Sequence, residues 1–350
     1  MGGRAECSRD NSPVRLESMS DRSFPSRRAS FFRLLLPGVI LVFGMALTYV
    51  LHDQVWKSVR QTVRGEFEFR VNEIVENIER RLHNYEQVLS GAVGLFAASQ
   101  SVERAGFAEY VRTLRLEGKY PGIQGVGFSR LIPAPQKASH VAAIRAEGFP
   151  GYDIRPGGQR DVYTSIVYLE PFNWRNQRAF GFDMYSEPVR RKAMAQARDE
   201  EMTTISGKVR LLQETDQSPQ AGFLMYLPVF RFNAPHGTPD ERRTNLVGWV
   251  YAPFRMNDLM AGILGKHFGE INASLDLEIY DGNETGKSQL MFDSNDQAAP
   301  RDAAFHTLRT IDLFDHRWTV SIRSLPVFDA QLRSSEADIC LVPPGYKHVF

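Results

Sequence analysis

Tyr163-Thr-Ser-Ile-Val-Tyr-Leu169 is the stretch of this 350-residue sequence from which the fold class can be inferred most directly. It is rich in β-branched and aromatic residues, which are enriched in strands. Farther along, Ser186-Glu-Pro188 opens a run that continues through Arg198, and proline is favoured in the first turn of a helix. We therefore expect a strand over the first stretch and a helix that begins at Pro188.

On both sides of this pair, helix and strand signals alternate without the strand–helix–strand repetition that is typical of parallel sheets. Further helices are expected at 136–147 and 256–268. Further strands are expected at 123–132, 205–212, 223–232, 245–254, 274–279, 289–292, 305–312 and 318–323. The pattern predicts an α+β fold built on antiparallel sheets.

The segment 53–100 predicts one long stalk helix, because it contains no proline and carries a regular apolar stripe. The stripe residues recur about every 3.7 positions, close to the helical period of about 3.6. They are Val55, Val59, Val63, Phe67, Val71, Ile74, Ile78, Leu82, Tyr85, Leu89, Val93 and Phe96. A helix of this length needs a packing partner. The stripe either lies along the body of the chain or pairs with a second copy, which would give a homodimer through the stalk.

The run from Leu34 to Leu51 contains no charged residue. At about 1.5 Å per residue it would be about 27 Å long, close to the ~30 Å hydrocarbon core of a bilayer. A buried core helix seldom stays uncharged for this length, and no signal-peptide cleavage site follows Leu51. We therefore expect a transmembrane helix at 34–51, with Pro37 and Gly38 in its first turn.

The polar segment 1–33 is short and needs no translocation, so we expect it to form a cytoplasmic tail. The basic residues that flank the span favour this orientation only slightly. The folded body after the span would then lie in the periplasm or outside the cell. The predicted location is the cell inner membrane, with a single span.

Composition and charge exclude several classes of protein. Hydrophobic content of 43% and charged content of 24% are ordinary for a folded protein and exclude wholesale disorder. A formal net charge of +1 argues against a nucleic-acid binder that relies on a basic surface. Cys7 and Cys340 lie at opposite ends of the chain, so neither a disulfide scaffold nor a cysteine-based zinc site is expected. No metal or other cofactor is expected.

The segment Gly282-Asn-Glu-Thr-Gly-Lys-Ser288 resembles two ligand-binding loops and matches neither. A phosphate-binding P-loop would have glycine where Asp281 stands. A calcium loop would have a bidentate glutamate at its twelfth position, which is Phe292 here. We therefore expect this segment to be a hairpin turn.

Several sequence blocks occur in an order that resembles the CHASE domain, a sensory module of cyclase- and histidine-kinase-associated receptors that lies outside the cytoplasm. The resemblance extends over about residues 85–325. The blocks are Tyr120-Pro-Gly-Ile-Gln-Gly-Val-Gly-Phe128, Arg160-Asp-Val-Tyr-Thr-Ser-Ile-Val-Tyr-Leu-Glu-Pro171, Ala179-Phe-Gly-Phe-Asp-Met-Tyr-Ser-Glu-Pro-Val-Arg-Arg191, Ile205-Ser-Gly-Lys-Val-Arg-Leu-Leu212, Gly222-Phe-Leu-Met-Tyr-Leu-Pro-Val-Phe-Arg231 and Gly248-Trp-Val-Tyr-Ala-Pro-Phe254.

The resemblance implies a long N-terminal helix followed by two PAS-like subdomains, of which the membrane-distal one binds a small ligand. In the plant cytokinin receptors of this family, an acidic side chain and strand backbone groups bind an adenine-type ring between apolar walls. Asp161 is the best candidate for this acid, and Phe182 corresponds to a wall position. Aromatic residues with few polar anchors also suit a ligand pocket. The nine candidate ligand residues are Asp161, Tyr163, Tyr168, Phe180, Phe182, Ser206, Lys208, Phe223 and Tyr226.

These observations predict a sensor domain at 101–325 and a short tail at 326–350. The tail has no apolar run long enough for a second span, and no catalytic domain is recognisable. The chain could therefore be a truncated receptor or a stand-alone sensor that works through a partner. Two alternatives remain open. The chain could be an anchored hydrolase that uses Glu170 and Asp183 as acid and base, although Asp183 could instead cap the helix entry at Ser186–Pro188. It could also be a structural dimerisation protein without a pocket.

Overall fold

The computed structural model describes residues 27–214, 219–265, 268–295 and 302–332. In these ranges the chain combines helices with two sheets whose paired strands are all antiparallel, which confirms the expected α+β class. The expected tail residues 1–26 and 333–350 lie outside the described residues. The chain divides into two units, 1–58 and 59–350, which are described separately.

Helix α1 is continuous over Arg27–Ala97. It therefore includes both the expected membrane span and the expected stalk, without a break between them. Every residue from Leu35 to Leu51 is exposed. Among the described helices, α1 alone is long and apolar enough to cross a membrane, with a mean hydropathy of 1.9 over its best window. The sequence had placed Pro37 in the first turn of the helix, and this was wrong. The helix begins at Arg27, so Pro37 lies well inside it.

The apolar stripe of α1 packs on the body of the same chain. Phe67 is 1% exposed, and its ring centroid lies 5.5 Å from that of Phe305 and 5.9 Å from that of Phe328. At the far end of the stripe, Tyr85 packs against Phe254 and donates a hydrogen bond to the carbonyl of Pro121. The packing partner that so long a helix requires is thus supplied by its own chain. The buried stripe residues are Val63, Phe67, Val71, Ile74, Ile78, Leu82, Tyr85, Val88, Leu89 and Ala92.

The first sheet has five strands in the order β2-β1-β5-β4-β3. The strands are β1 Val126–Pro133, β2 Val162–Glu170, β3 Thr204–Ile205, β4 Gly222–Phe230 and β5 Leu246–Arg255. The helices of this part are α2 Arg104–Leu114, α3 Leu116–Lys119, α4 Lys137–Ala146, α5 Trp174–Gln177, α6 Pro188–Glu200 and α7 Pro239–Asn245.

Both faces of the first sheet are buried. Side chains alternate along a strand, so Phe223 and Met225 of β4 join the core around α1, whereas Tyr226 joins a second core under α6. Two hydrogen bonds hold α6 on this second face. The indole of Trp249 donates to the carbonyl of Met194 at 2.9 Å, and Thr204 donates to the carbonyl of Ala193 at 2.9 Å.

The second sheet has four strands in the order β7-β6-β9-β8. Its elements are α8 Met256–Leu264, α9 Phe268–Ser274, β6 Leu275–Asp281, β7 Leu290–Asp293, β8 His306–Leu313 and β9 His316–Ser324. The segment 282–288 joins the antiparallel pair β6 and β7, so the expected hairpin turn is confirmed. A helix at 326–332 follows β9, and its Phe328 is fully buried. The compact unit therefore extends past residue 325.

Strand β3 covers only two residues, and the strand expected at 205–212 was wrong in length. After Ile205 the regular ladder is interrupted, because the backbone N–H of Lys208 donates to the Asp281 carboxylate of the second sheet at 2.7 Å. Gly207 allows this approach, because a Cβ there would lie 2.8 Å from the same carboxylate oxygen. The chain pairs with β4 again only as an isolated bridge between Val209 and Gly222. A contact with the other sheet thus overrides the local strand propensity.

Candidate functional site

The nine candidate ligand residues do not lie in one place. Tyr168, Phe180 and Phe223 lie on the α1 side of the first sheet, among aromatic side chains of the larger core. The Tyr168 hydroxyl donates to the carbonyl of Val102 at 3.0 Å. The ring of Phe223 stacks on that of Phe254 with 4.8 Å between centroids. These contacts give all three residues a role in packing the core.

Asp161 and Tyr163 line a groove of about 830 Å³ at the β2 edge of the sheet, together with Lys137, Arg145 and Arg160. Asp161 is exposed, and Tyr163 is buried with its hydroxyl donating to the carbonyl of Gly158 at 2.8 Å. The Lys137 ammonium lies 4.4 Å from the centroid of the Tyr163 ring, in cation–π geometry. We call this site the edge groove.

Lys208 lies at the contact between the two sheets. Its backbone N–H donates to Asp281, and its ammonium donates to the carbonyl of Ser288 at 3.0 Å. His316 Nε2 lies 2.6 Å from the other carboxylate oxygen of Asp281. Lys208 therefore connects the segment after β3 to the second sheet.

Phe182, Ser206 and Tyr226 lie on the α6 side of the first sheet. The Ser206 hydroxyl donates to the carbonyl of Gly207 and accepts from the N–H of Leu224, so its hydrogen bonds are satisfied. Phe182 and Tyr226 instead border a group of buried polar side chains that we call the polar chamber. Its members are Ser129, Tyr185, Arg190, Tyr226 and Tyr251.

The register of the sheet explains why two tyrosines meet in the polar chamber. Tyr226 is paired directly with Tyr251, and Tyr251 is paired with Gly127. Residues that face each other across antiparallel strands share one side of the sheet. The two tyrosine ring centroids are 6.3 Å apart. A Cβ at Gly127 would lie 2.5 Å from the Tyr251 ring, so only glycine leaves room for this ring.

Arg190 reaches the polar chamber from α6 and is 4% exposed. Its guanidinium lies 5.0 Å from the centroid of the Phe182 ring, and one of its terminal nitrogens donates to the carbonyl of Arg210 at 3.0 Å. Its Nε lies 3.8 Å from a carboxylate oxygen of Glu187. That carboxylate already accepts from the N–H groups of Val189 and Arg190 as the N-terminal cap of α6.

Five buried polar atoms of the polar chamber have no hydrogen-bond partner in the part of the chain that the structure describes. Leaving such an atom unpaired costs about 1–3 kcal/mol, and folded proteins seldom do so. Since five of these atoms come from one side of one sheet, the polar chamber is the strongest candidate for a functional site. The atoms are Ser129 Oγ, Tyr185 Oη, Arg190 Nε, Tyr226 Oη and Tyr251 Oη.

The three tyrosine hydroxyls of the polar chamber stay protonated at neutral pH. Burial raises the pKa of Tyr185 to about 12. Burial also raises the pKa of Tyr226 and of Tyr251, while the positive charge of Arg190 acts in the opposite direction on both. All three hydroxyls can therefore donate hydrogen bonds.

Asp183 has a structural role beside the polar chamber. One carboxylate oxygen accepts from the backbone N–H and the hydroxyl of Thr164 and from the N–H of Tyr185, at 2.9, 3.0 and 3.2 Å. Asp183 thus caps the single helical turn Met184–Ser186, while Glu187 caps α6. The other oxygen lies 3.2 Å from a guanidinium nitrogen of Arg160, which also lines the edge groove.

Glu170 and Asp183 are not arranged as a catalytic pair. Glu170 accepts from the N–H of Phe172, whereas Asp183 bonds to Thr164 at the other end of β2. At about 3.3 Å per residue the two ends are about 20 Å apart. Paired glycosidase carboxylates lie about 5–10 Å apart. The geometry therefore gives no support to the hydrolase alternative.

With this geometry in place, the class of protein follows from comparison with known families. The model of a family of sensory domains that lie outside the cytoplasm matches residues 100–292, which include the first sheet, α6 and the start of the second sheet. The chain belongs to the CHASE domain family. None of the curated proteins compared with this chain matches it.

The sequence analysis missed four members of the polar chamber, namely Ser129, Tyr185, Arg190 and Tyr251. Arg190 carried a usable signal. It occupies the same helical stripe as the buried residues Ala193, Met194 and Ala197, three, four and seven positions later. A charged residue on the buried stripe of a helix is uncommon and suggests a polar partner inside the fold.

Proposed function

We propose that this chain is a membrane-anchored sensor that binds a small molecule in the polar chamber. The observation that carries the proposal is the group of five unpaired polar atoms on the α6 side of the first sheet. A ligand with polar groups would supply the hydrogen bonds that these atoms lack, and the surrounding aromatic rings would enclose its apolar part. Of the predicted residues, Phe182 and Tyr226 would contact the ligand.

The edge groove would serve as the outer part of the binding site. Arg160 lines this groove and also pairs with Asp183, whose backbone follows Phe182 at the border of the polar chamber. A ligand that enters from the groove would therefore meet Asp161, Tyr163 and Arg160 before it reaches the α6 side. An adenine-type ring remains one candidate ligand.

The membrane anchor of the proposed sensor is the apolar part of α1, with the polar N-terminal segment in the cytoplasm and the body in the periplasm or outside the cell. The inner membrane is the proposed location. The length and mean hydropathy of α1 support a single span. The family match supports a body that lies outside the cytoplasm.

A homodimer through the stalk remains part of the proposal, but on another face of α1. The apolar stripe is occupied by the body, whereas Phe69 is 68% exposed between the buried Phe67 and Val71. The proposed contact is the face around Phe69. Dimerisation there would allow a ligand-dependent change to reach a kinase or cyclase effector.

A thermal-shift screen of the full chain in a non-ionic detergent tests the proposed function. The library contains purine derivatives and organic acids. A binding compound at a hundred times its Kd should stabilise the fold by about 2.7 kcal/mol and raise the melting temperature in a saturable way. The double variant Tyr226→Phe, Tyr251→Phe should weaken the shift, whereas the edge-groove variant Tyr163→Phe should preserve most of it. A library without any stabilising compound would contradict the proposal and favour the structural alternative.

A further inference from the structure

We propose that the polar chamber selects a small carboxylate as its ligand. This inference rests on the proposed function, because it names the chemical class that the same site would take. The starting point is the balance of donors and acceptors among the buried groups. Arg190 carries only donors, and the protonated hydroxyls of Tyr226 and Tyr251 can donate as well.

The acid beside the chamber is already neutralised. Asp183 accepts three hydrogen bonds through one oxygen, and its other oxygen lies 3.2 Å from the Arg160 guanidinium. A cationic ligand would have to displace Arg160 from this ion pair. Asp183 Oδ2 has no hydrogen bond among the described residues, but it faces the Arg160 guanidinium. Of the five atoms of the polar chamber, Arg190 Nε can only donate and the four hydroxyls can donate, so a ligand rich in acceptors can pair with all of them.

Arg190 supplies the charge that distinguishes a carboxylate from a neutral acceptor. Its nearest anion is Glu187, at 3.8 Å from Nε and without a hydrogen bond to that nitrogen. Glu187 is held in place as the cap of α6 and is partly exposed to solvent, which weakens its effect on Arg190. The Nε–H of Arg190 is therefore open to a second anion.

Arg190, Tyr226 and Tyr251 each bring an unpaired donor to the α6 side of the first sheet. Arg190 stacks on Phe182, which holds its planar guanidinium in a fixed orientation. Tyr226 and Tyr251 are direct neighbours across two strands, and the Arg190 charge acts on both hydroxyls. A carboxylate has about four acceptor positions and can accept from all three groups at once. An adenine-type ring would instead bring its own amino donors into a donor-rich site.

Titration of the wild-type full chain with matched compounds tests this inference without any substitution. Acetate, succinate and benzoate are each compared with the corresponding primary amide, and adenine is included. At least one carboxylate should bind about 10- to 150-fold more tightly than its amide, as expected for a charged hydrogen bond in a buried site. If amides or adenine bind as tightly as the carboxylates, the ligand class is wrong while the proposed function stands. If no compound of any class binds in this titration or in the broad screen, the proposed function itself fails.

Two arginine variants test whether Arg190 is the residue that distinguishes a carboxylate from its amide. Arg190→Gln should lower the affinity for the best carboxylate about 10- to 150-fold and leave the affinity for its amide within about threefold. Arg191→Gln is the matched control, because Arg191 lies on the exposed side of the same helix, where its side chain donates to the backbone carbonyl of Tyr185. Near-ultraviolet circular dichroism shows whether each variant keeps its fold. Equal carboxylate affinity in folded Arg190→Gln and in wild type would overturn the assignment to Arg190.

Discussion

At the scale of single residues, the polar chamber and the aromatic core differ in the hydrogen bonding of their tyrosine hydroxyls. Tyr226 is fully buried and its hydroxyl has no partner among the described residues. Tyr152 is 3% exposed, and its hydroxyl lies 2.6 Å from Ser165 Oγ and 2.9 Å from His140 Nε2. The same substitution at these two positions therefore has opposite consequences.

We expect Tyr226→Phe to leave the free energy of unfolding unchanged or to raise it by up to about 1 kcal/mol, because an unpaired buried hydroxyl is removed. Tyr152→Phe should lower it by about 1–2 kcal/mol, because Ser165 and His140 lose a partner. Urea unfolding of the ligand-free full chain measures both. A loss in Tyr226→Phe as large as that in Tyr152→Phe would show that the Tyr226 hydroxyl is already hydrogen-bonded.

His140 makes the fold sensitive to acid. Burial lowers the pKa of His140 from 6.5 to about 4, and the charge of Arg130 adds to this effect. The unfolded chain therefore binds the proton first as the pH falls. The contribution of His140 to stability is present above about pH 6.5 and is lost progressively between pH 6.5 and pH 4.

We expect His140→Gln to reduce the loss of stability between pH 6.5 and pH 4 relative to wild type. His83→Gln is the matched control, because His83 is exposed on α1. Urea midpoints at a series of pH values give the comparison. Parallel pH profiles for wild type and His140→Gln would contradict the assignment.

At the scale of elements, α1 shows how far the sequence could predict the structure. The 3.7-residue spacing predicted the buried stripe from Val63 to Leu89. It did not indicate whether the stripe meets its own body or a second copy, since both partners present the same apolar surface. The choice depends on Phe305 and Phe328, which are distant in the sequence and become neighbours of Phe67 only in the folded chain.

The buried and exposed faces of α1 can be compared with one pair of substitutions. Phe67→Ala should lower the free energy of unfolding by about 3–5 kcal/mol, because it leaves a cavity among aromatic rings. Phe69→Ala should change it by no more than about 0.5 kcal/mol in dilute protein, since this side chain is exposed. Denaturant unfolding followed by circular dichroism measures both. Equal effects of the two substitutions would mean that the stripe does not pack as described.

Strand β3 and the polar chamber show where the sequence was insufficient. The sequence predicted a strand over 205–212, but the ladder is interrupted after Ile205, where the backbone N–H of Lys208 donates to Asp281 of the second sheet. Pairing resumes only as an isolated bridge between Val209 and Gly222. Likewise, the aromatic residues of β2 and β4 were correctly placed on strands. Which side of the sheet each one faces follows from the register, which a single sequence does not specify where both faces are buried.

Asp281 supplies the polar part of the contact between the two sheets, beside the packing of Phe223 against Trp318. The net effect of its surroundings lowers its pKa: burial acts to raise the pKa, and hydrogen bonds from His316 and Lys208 outweigh that effect. We expect Asp281→Ala to lower the free energy of unfolding by about 1–3 kcal/mol, because two hydrogen bonds are lost. Asp312→Ala is the control, since Asp312 forms an exposed pair with Arg317. The pKa of Asp281 is lower in the folded chain than in the unfolded chain. The contribution of Asp281 to the free energy of unfolding is therefore present above the unfolded pKa of about 3.9 and is lost as the pH falls below it. Equal thermal stability of the two variants at pH 7 would contradict this role.

At the scale of the whole molecule, the family match and the two sheets describe a sensory domain. The proposed ligand site and α1 lie on opposite faces of the first sheet. The polar chamber belongs to the first sheet, and the segment after β3 connects that sheet to the second through Lys208 and Asp281. The second sheet in turn packs on α1 through Phe305. A structural change under α6 can thus pass to α1 through elements that are packed against one another.

Dimerisation through α1 can be tested by substitution. If the face around Phe69 joins two copies, Phe69→Lys should shift the full chain from dimer to monomer without loss of its circular dichroism signal. Phe67→Lys should instead unfold the body, because it buries a charge in the core. Sedimentation velocity in detergent distinguishes the outcomes. A Phe69→Lys variant that remains dimeric would place the contact elsewhere.

Hydrogen–deuterium exchange of the full chain, with and without the most stabilising compound of the screen, tests most directly whether a ligand binds under α6. We expect slower exchange in the helix Pro188–Glu200 and in the facing strands Gly222–Phe230 and Leu246–Arg255. Protection confined to the edge groove at 134–163, or no protection in any segment, would contradict a ligand site in the polar chamber.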